Sequence, residues 1–317
     1  MMRGELAAAG IDDPLLRDGY RRCRELNAAH GRTFFLATRL LAPDQRPPVH
    51  ALYGFARYAD DILDDLDPGV GADVRGRRLQ RLAERFFSDG AHLDDPLVAA
   101  VADTVRRYQI SAGLFEDFLA SMRMDLTVTD YPDRKALNHY MRGSAEAIGL
   151  QVLPILGTVT PVREAEPYAA ALGRAFQLTN FLRDIDEDLQ RGRVYLPADE
   201  LAADGVDREL LMWCHAHRRT DPRVRRALVG QHEITRQTYR FAVQGIATLA
   251  HRSRPCVATA AALYSEILDC IERSDFAVFD HRATVGQVRR LRVAGAGLIR
   301  SWRARNSARG VRLSGAE

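Results

Sequence analysis

Two short stretches place acidic side chains inside otherwise apolar sequence. In YGFARYADDILDD, Asp60 and Asp64 stand four residues apart and Asp61 and Asp65 flank them. Arg57 precedes Asp60 by three residues, and Tyr53 opens the stretch. In FQLTNFLRDIDEDLQRGRVYLP, Asn180, Asp184 and Asp188 repeat at i, i+4 and i+8, with Phe176 one turn earlier and Arg183 and Arg193 nearby. On a helix this spacing puts each set on one face. Like charges at i,i+4 destabilise a helix by about 0.2–0.5 kcal/mol per pair. Removing Asp60 or Asp184 is therefore expected to leave stability unchanged or raised. One such stretch alone is readily a solvated face; two, each with arginines in step, point to chemistry.

That chemistry is diphosphate binding through Mg²⁺, with Mn²⁺ able to substitute. Mg²⁺ takes octahedral oxygen ligands, commonly one or two carboxylates completed by water and substrate phosphate. Carboxylates and diphosphate repel each other, so the metal must bridge them. Arg57, Arg183 and Arg193 would supply forked donors to the remaining phosphate oxygens, although Arg183 and Arg193 could equally serve as structural salt-bridge partners. The metal acts as a Lewis acid on a departing diphosphate.

The elements that would position these groups are helical. Pro47-Pro48 suits a helix start, and the pattern then runs unbroken to Asp67-Pro68-Gly69. Apolar residues recur at the helical period in LQRLAERFF and LVAAVADTVRRY, and over 115–126, 136–156, 164–190, 208–218, 224–249 and 257–274. β-branched alternation is nearly absent, and no repeat, low-complexity segment or hydrophilic linker divides the chain. The expectation is one all-α domain over 1–317 with its core at about 20–280, its helices surrounding a central cavity.

Composition narrows the function further. Apolar residues make up 46% of the 317, enough for a large core, and the net charge is +3, from 45 basic and 42 acidic residues. That balance gives no reason to expect nucleic acid as a partner. Cys23, Cys214, Cys256 and Cys270 lie far apart with no metal-like spacing, as expected of free thiols in a reducing compartment. No signal-peptide core and no run of about 18 apolar residues is present, so a cytoplasmic location is expected. The basic residues gather at one end: no Asp or Glu occurs from His281 to Ala316. A helix over about 287–305 would align Leu291, Ala294, Leu298 and Trp302 on one side. That pattern fits either a final helix packed on the domain with its arginines solvated or paired, or an interfacial helix in peripheral contact with the inner membrane face.

ARYADDILDD, HYMRGSAEAIGLQ and NFLRDIDEDLQRGRVYLP together resemble the squalene/phytoene synthases, the head-to-head isoprenoid synthases. The likeness extends from Arg32-Thr-Phe-Phe to Leu263-Tyr264 and is strongest to bacterial, actinobacterial-type members that form phytoene. The RGRVYLP continuation is its most specific part. The run Ser144 to Gly149 departs from the V-A-G-T-V-G common among relatives, which affects the contour of the pocket rather than the reaction class.

The resemblance implies the class I isoprenoid synthase fold and metal ligation by Asp60, Asp64, Asn180, Asp184 and Asp188, with Asp61 adjacent. It implies a diphosphate contact from Arg57, and Tyr53, Tyr140 and Tyr264 at the reaction centre. It also implies condensation of two geranylgeranyl diphosphates to phytoene through a cyclopropylcarbinyl diphosphate. Phe34, Phe35, Phe176 and Phe181 are candidates to wall off the carbocations. Small residues at Ala37, Thr38 and Ala51 suit a C20 rather than a C15 substrate. Reduction to squalene would need NADPH, and Gly295-Ala-Gly297 is no nucleotide-binding motif, so no NADPH is expected. The alternatives are a squalene or dehydrosqualene synthase using farnesyl diphosphate, a class I terpene cyclase, and an inactive relative acting in assembly.

Overall fold

The computed structural model describes residues 2–64, 70–88, 95–286 and 289, and among them it is built of helices without a strand. The longest are Arg46–Leu63, Val162–Arg183, Pro222–Ala242 and Arg254–Arg273. Pro47 and Pro48 lie in the first turn of Arg46–Leu63, where a missing N–H costs nothing. Side-chain caps set other starts: Asp133 Oδ1 accepts from Ala136 N at 2.7 Å, and Asp207 Oδ1 from Leu210 N at 2.8 Å. All four cysteines are free.

Three expected helices are broken. The helix expected over 136–156 runs as Arg134–Met141, a π-helical turn at Arg142–Glu146, and Ala147–Leu156. The one expected over 164–190 stops at Arg183, Asp184 takes φ −103° and ψ 12°, and Ile185–Gln190 follows. The one expected over 224–249 ends at Ala242 and continues as a 3₁₀ turn, Val243–Thr248. The basic segment expected as a packed or interfacial helix falls outside the described residues, Arg289 excepted. Among the described residues no helix is long and apolar enough to cross a membrane.

Buried apolar residues form three clusters. One packs Phe55 against Phe86 and Phe115, with ring centroids 4.8 and 5.5 Å apart. A second joins Val162–Arg183 to Pro222–Ala242 and Arg254–Arg273. A third holds Leu40, Leu41, Leu153, Leu156 and Leu249. Helix Val162–Arg183 crosses the π turn Arg142–Glu146 and helix Ala147–Leu156 at backbone contact. A Cβ at Gly173 would stand 2.2 Å from the Ala145 carbonyl oxygen, and one at Gly149 2.3 Å from that of Ala169. Glycine is required at both points.

Candidate active site

An apolar cavity of about 310 Å³ lies between these clusters. Helix Val162–Arg183 contributes a continuous stripe to it, from Ala165 through Leu172 and Phe176 to Asn180, at spacings of three and four residues. Tyr53 and Ala56 line it from Arg46–Leu63, and Ser144, Ile148 and Val152 from the facing helix. One end is polar, with Tyr53, Ser144, Gln177 and Asn180; the other is closed by leucines of the third cluster. Ser144 Oγ and Asn180 Oδ1 are buried and have no protein partner.

Beyond the polar end the two acidic stretches continue the lining faces. Asp60 follows Ala56 by one turn, and Asp184 follows Asn180 by one turn. Burial, reinforced by repulsion from Asp64, pushes the Asp60 carboxyl up to about 7. Burial and the neighbouring Asp184 push Asp188 up to about 7 as well. Both are therefore carboxylates held at a cost and short of positive charge.

The arginines are not equivalent. Arg57 pairs with Asp61 and keeps its buried Nε unpartnered. Arg183 is committed to Asp184, donating from Nε to Oδ1 at 2.7 Å and from Nη2 to Oδ2 at 2.5 Å. Arg282 donates to the same Oδ1 at 2.8 Å. Burial raises the Asp184 carboxyl, but these two guanidinium partners outweigh it and hold the group below its ordinary value. Arg193 donates to the Asp125 backbone carbonyl at 2.8 Å and to the Tyr195 hydroxyl at 3.4 Å. Arg193 thus acts here as a brace.

The tyrosines separate as well. Tyr53 lines the cavity, and burial raises its hydroxyl to about 12. Tyr264 stacks on Phe34 and leans on Phe176, with centroids 4.8 and 4.6 Å away, and burial raises its hydroxyl against the downward pull of the nearby Arg183 guanidinium. Tyr140 sits apart from the cavity lining and donates to Asp125 Oδ2 at 3.0 Å. It belongs to an aromatic group with Tyr131, Tyr195 and Phe181, in which Phe181 and Tyr195 stack at 4.3 Å. Phe34 and Phe176 line the cavity, whereas Phe35 packs on His50 and Phe181 on Tyr195. Of the small residues, Ala37 and Thr38 line it; Ala51 is buried in the Phe55 cluster instead.

Asp125, Arg191, Tyr195 and Arg282 were not anticipated as site residues. Asp125 caps the end of Gly113–Met124 and sits between the acidic stretches. Burial pushes it up to about 6 against the pull of Arg193 and of the Tyr140 and Tyr195 hydroxyls. No local pattern around Asp125 marks it; only Tyr195 and Arg191 lay within a recognisable motif. Among the described residues no three carboxylate, imidazole or thiol groups converge as a ready-made metal cage.

A family description, squalene/phytoene synthase, matches residues 27–289. The chain belongs to the squalene/phytoene synthase family. It is 35% identical over 280 residues to phytoene synthase of Arthrospira platensis, covering 84% of this chain and 88% of that one. It is also 35% identical over 283 residues to the chloroplastic phytoene synthase of Daucus carota, covering 87% and 69%. Among solved structures, a dehydrosqualene synthase in complex with ligand superposes with a TM-score of 0.77 at 25% identity, over 89% of this chain and 96% of that one. The chain is thus a prenyltransferase of that family, with its all-α isoprenoid synthase fold.

Proposed function

We propose that the chain is a phytoene synthase, joining two geranylgeranyl diphosphates head to head with release of two diphosphates. The observation that carries this is the apolar cavity whose polar end, at Tyr53, Gln177 and Asn180, lies beside the two acidic stretches that Arg191 links through Asp64. The phytoene synthases among its relatives select the product. The same residues fit divalent metal. Asp60 and Asp188 are buried without enough positive charge, and Asn180 Oδ1 is buried and unpartnered. Asp60 and Asp64, with Asp61 beside them, and Asn180, Asp184 and Asp188 would hold Mg²⁺. When bound, Mg²⁺ supplies Lewis-acid stabilisation of the departing diphosphate.

The protein's own groups do the rest. Arg57, with its free Nε, binds phosphate oxygens as a forked donor. The cavity excludes water, which would otherwise quench an allylic cation. The faces of Phe34 and Phe176 attract that cation without attacking it. Tyr53 and Tyr264 remain protonated at neutral pH, because burial raises both hydroxyls, so they donate hydrogen bonds rather than act as bases.

Purified protein given C20 diphosphate and MgCl₂ should yield a C40 hydrocarbon with a central conjugated triene, identified by its absorption and mass, and EDTA should abolish it. Formation of a C30 hydrocarbon from C15 diphosphate in preference, or of a cyclised product from one diphosphate, would overturn this reading.

A further inference from the structure

The cavity has a floor as well as walls, and the floor is uneven in construction. Leu156, Ala165 and Leu249 close part of it and are backed by further buried leucines. Trimming one of them would leave an enclosed void. Tyr168 closes the remainder and is only half-buried. Its ring packs on Phe241, centroids 4.8 Å apart, and Phe241 is itself 44% exposed. At this point the packed rings of Tyr168 and the exposed Phe241 stand between the cavity and the outer surface.

Gly245, in the turn Val243–Thr248, holds that side chain in place. A Cβ at 245 would lie 2.1 Å from Tyr168 Cβ and 2.6 Å from its Cγ, distances real side chains do not tolerate. Gly245 lines the cavity too, so an added side chain takes up space at the floor beside Tyr168. Tyr168 and Asn180 stand on the same helix twelve residues apart, about 18 Å along its axis at about 1.5 Å per residue. A prenyl chain anchored by its diphosphate beyond Asn180 runs along this stripe towards Tyr168.

We propose that Tyr168, seated on Gly245, is the depth stop that sets the longest prenyl chain the cavity accepts. This rests on the prenyl diphosphate reading above but adds a specificity-determining pair at the end remote from the aspartates.

The test compares kcat/KM for all-trans C15, C20 and C25 diphosphates with Mg²⁺, read by diphosphate release. The variants are Tyr168→Ala, Tyr168→Phe, Leu156→Ala and Gly245→Ala, each checked for helicity. Tyr168→Ala should raise the C25:C20 ratio about tenfold or more, since a few methylenes in an apolar pocket discriminate by about that much. Tyr168→Phe, which keeps the ring, should retain the parental ratio, and Gly245→Ala should shift preference towards C15. If Gly245→Ala fails to fold, Tyr168→Trp carries that arm. An unchanged C25:C20 ratio in folded Tyr168→Ala overturns the proposal, as does an equal rise in Leu156→Ala. Should the parent prefer C15, the phytoene reading falls. The depth stop is then judged one isoprene unit lower, by whether Tyr168→Ala raises C20:C15.

Discussion

Arg191 reaches from the second acidic stretch to Asp64 of the first, with Nη1 3.6 Å from Oδ1. It joins two segments distant in sequence, and it also lies close enough to Asp188 to draw that carboxyl down against burial. The two partners are 51% and 36% exposed, so the pair contributes under about 1 kcal/mol to stability. Arg191→Ala should therefore melt within a few degrees of the parent. Its KM for prenyl diphosphate should rise several-fold, because a cation between the two aspartate sets is lost. Steady-state kinetics beside a denaturant titration check both, and a stability loss above about 2 kcal/mol would contradict the weak-pair reading.

Asp60 and Asp184 looked interchangeable as members of repulsive stripes, and their surroundings separate them. Asp60→Ala removes a carboxyl raised by burial and by Asp64, so the variant should be at least as stable as the parent. Asp184→Ala strands the largely buried fork of Arg183 and frees Arg282. It should lose about 2 kcal/mol or more, as breaking a largely buried ion pair does. Both variants should lose activity by orders of magnitude. Thermal melts of the two, side by side, distinguish the cases; equal stabilities would show that Asp184 is not structurally engaged.

The pH dependence of stability should run opposite to that of a salt-bridged carboxylate. Asp60 and Asp188 bind protons up to about pH 7 in the folded chain, against about 4 for an unfolded carboxylate. Between these values the folded state holds more protons than the unfolded one. Without divalent cation, this contribution is fully present below about pH 4 and is lost as pH rises through about 7. Mg²⁺ needs the ionised carboxylates, so the melting-temperature rise it produces should be small near pH 5.5 and grow towards pH 8. A Mg²⁺ effect of the same size at both pH values would be inconsistent with these carboxylates as ligands.

Gly173→Ala tests the helix crossing that shapes the cavity. The added Cβ meets the Ala145 carbonyl oxygen at 2.2 Å, backbone that cannot turn aside. The variant should lose about 1–3 kcal/mol, the usual cost of overpacking. Near-parental stability in chemical denaturation would mean the helices separate easily.

Much of the molecule was legible from its residues, and the limits have a physical cause. Helical period follows from burial of one face and is written within a few turns, so most elements and the absence of strands in the described residues were foreseeable. The breaks at Arg142–Glu146 and Asp184 were not, because the π turn sits where Gly143 meets the Asp117 carbonyl and Asp184 leaves the helix to meet Arg282. Both causes lie in other segments.

The same division holds for the site. Local spacing determined the two acidic stripes and the arginine and tyrosine beside the first, since these depend only on which residues share a helix face; the family motifs are legible as plain residue order. Packing alone decided that Asp125 stands between the stripes, that Arg183 and Arg193 are already engaged, and that Ala56 rather than Ala51 faces the cavity. It also decided that a tyrosine held against a glycine closes the far end. Each of these depends on which helices cross, at what angle and how closely, and a one-dimensional period carries no record of that.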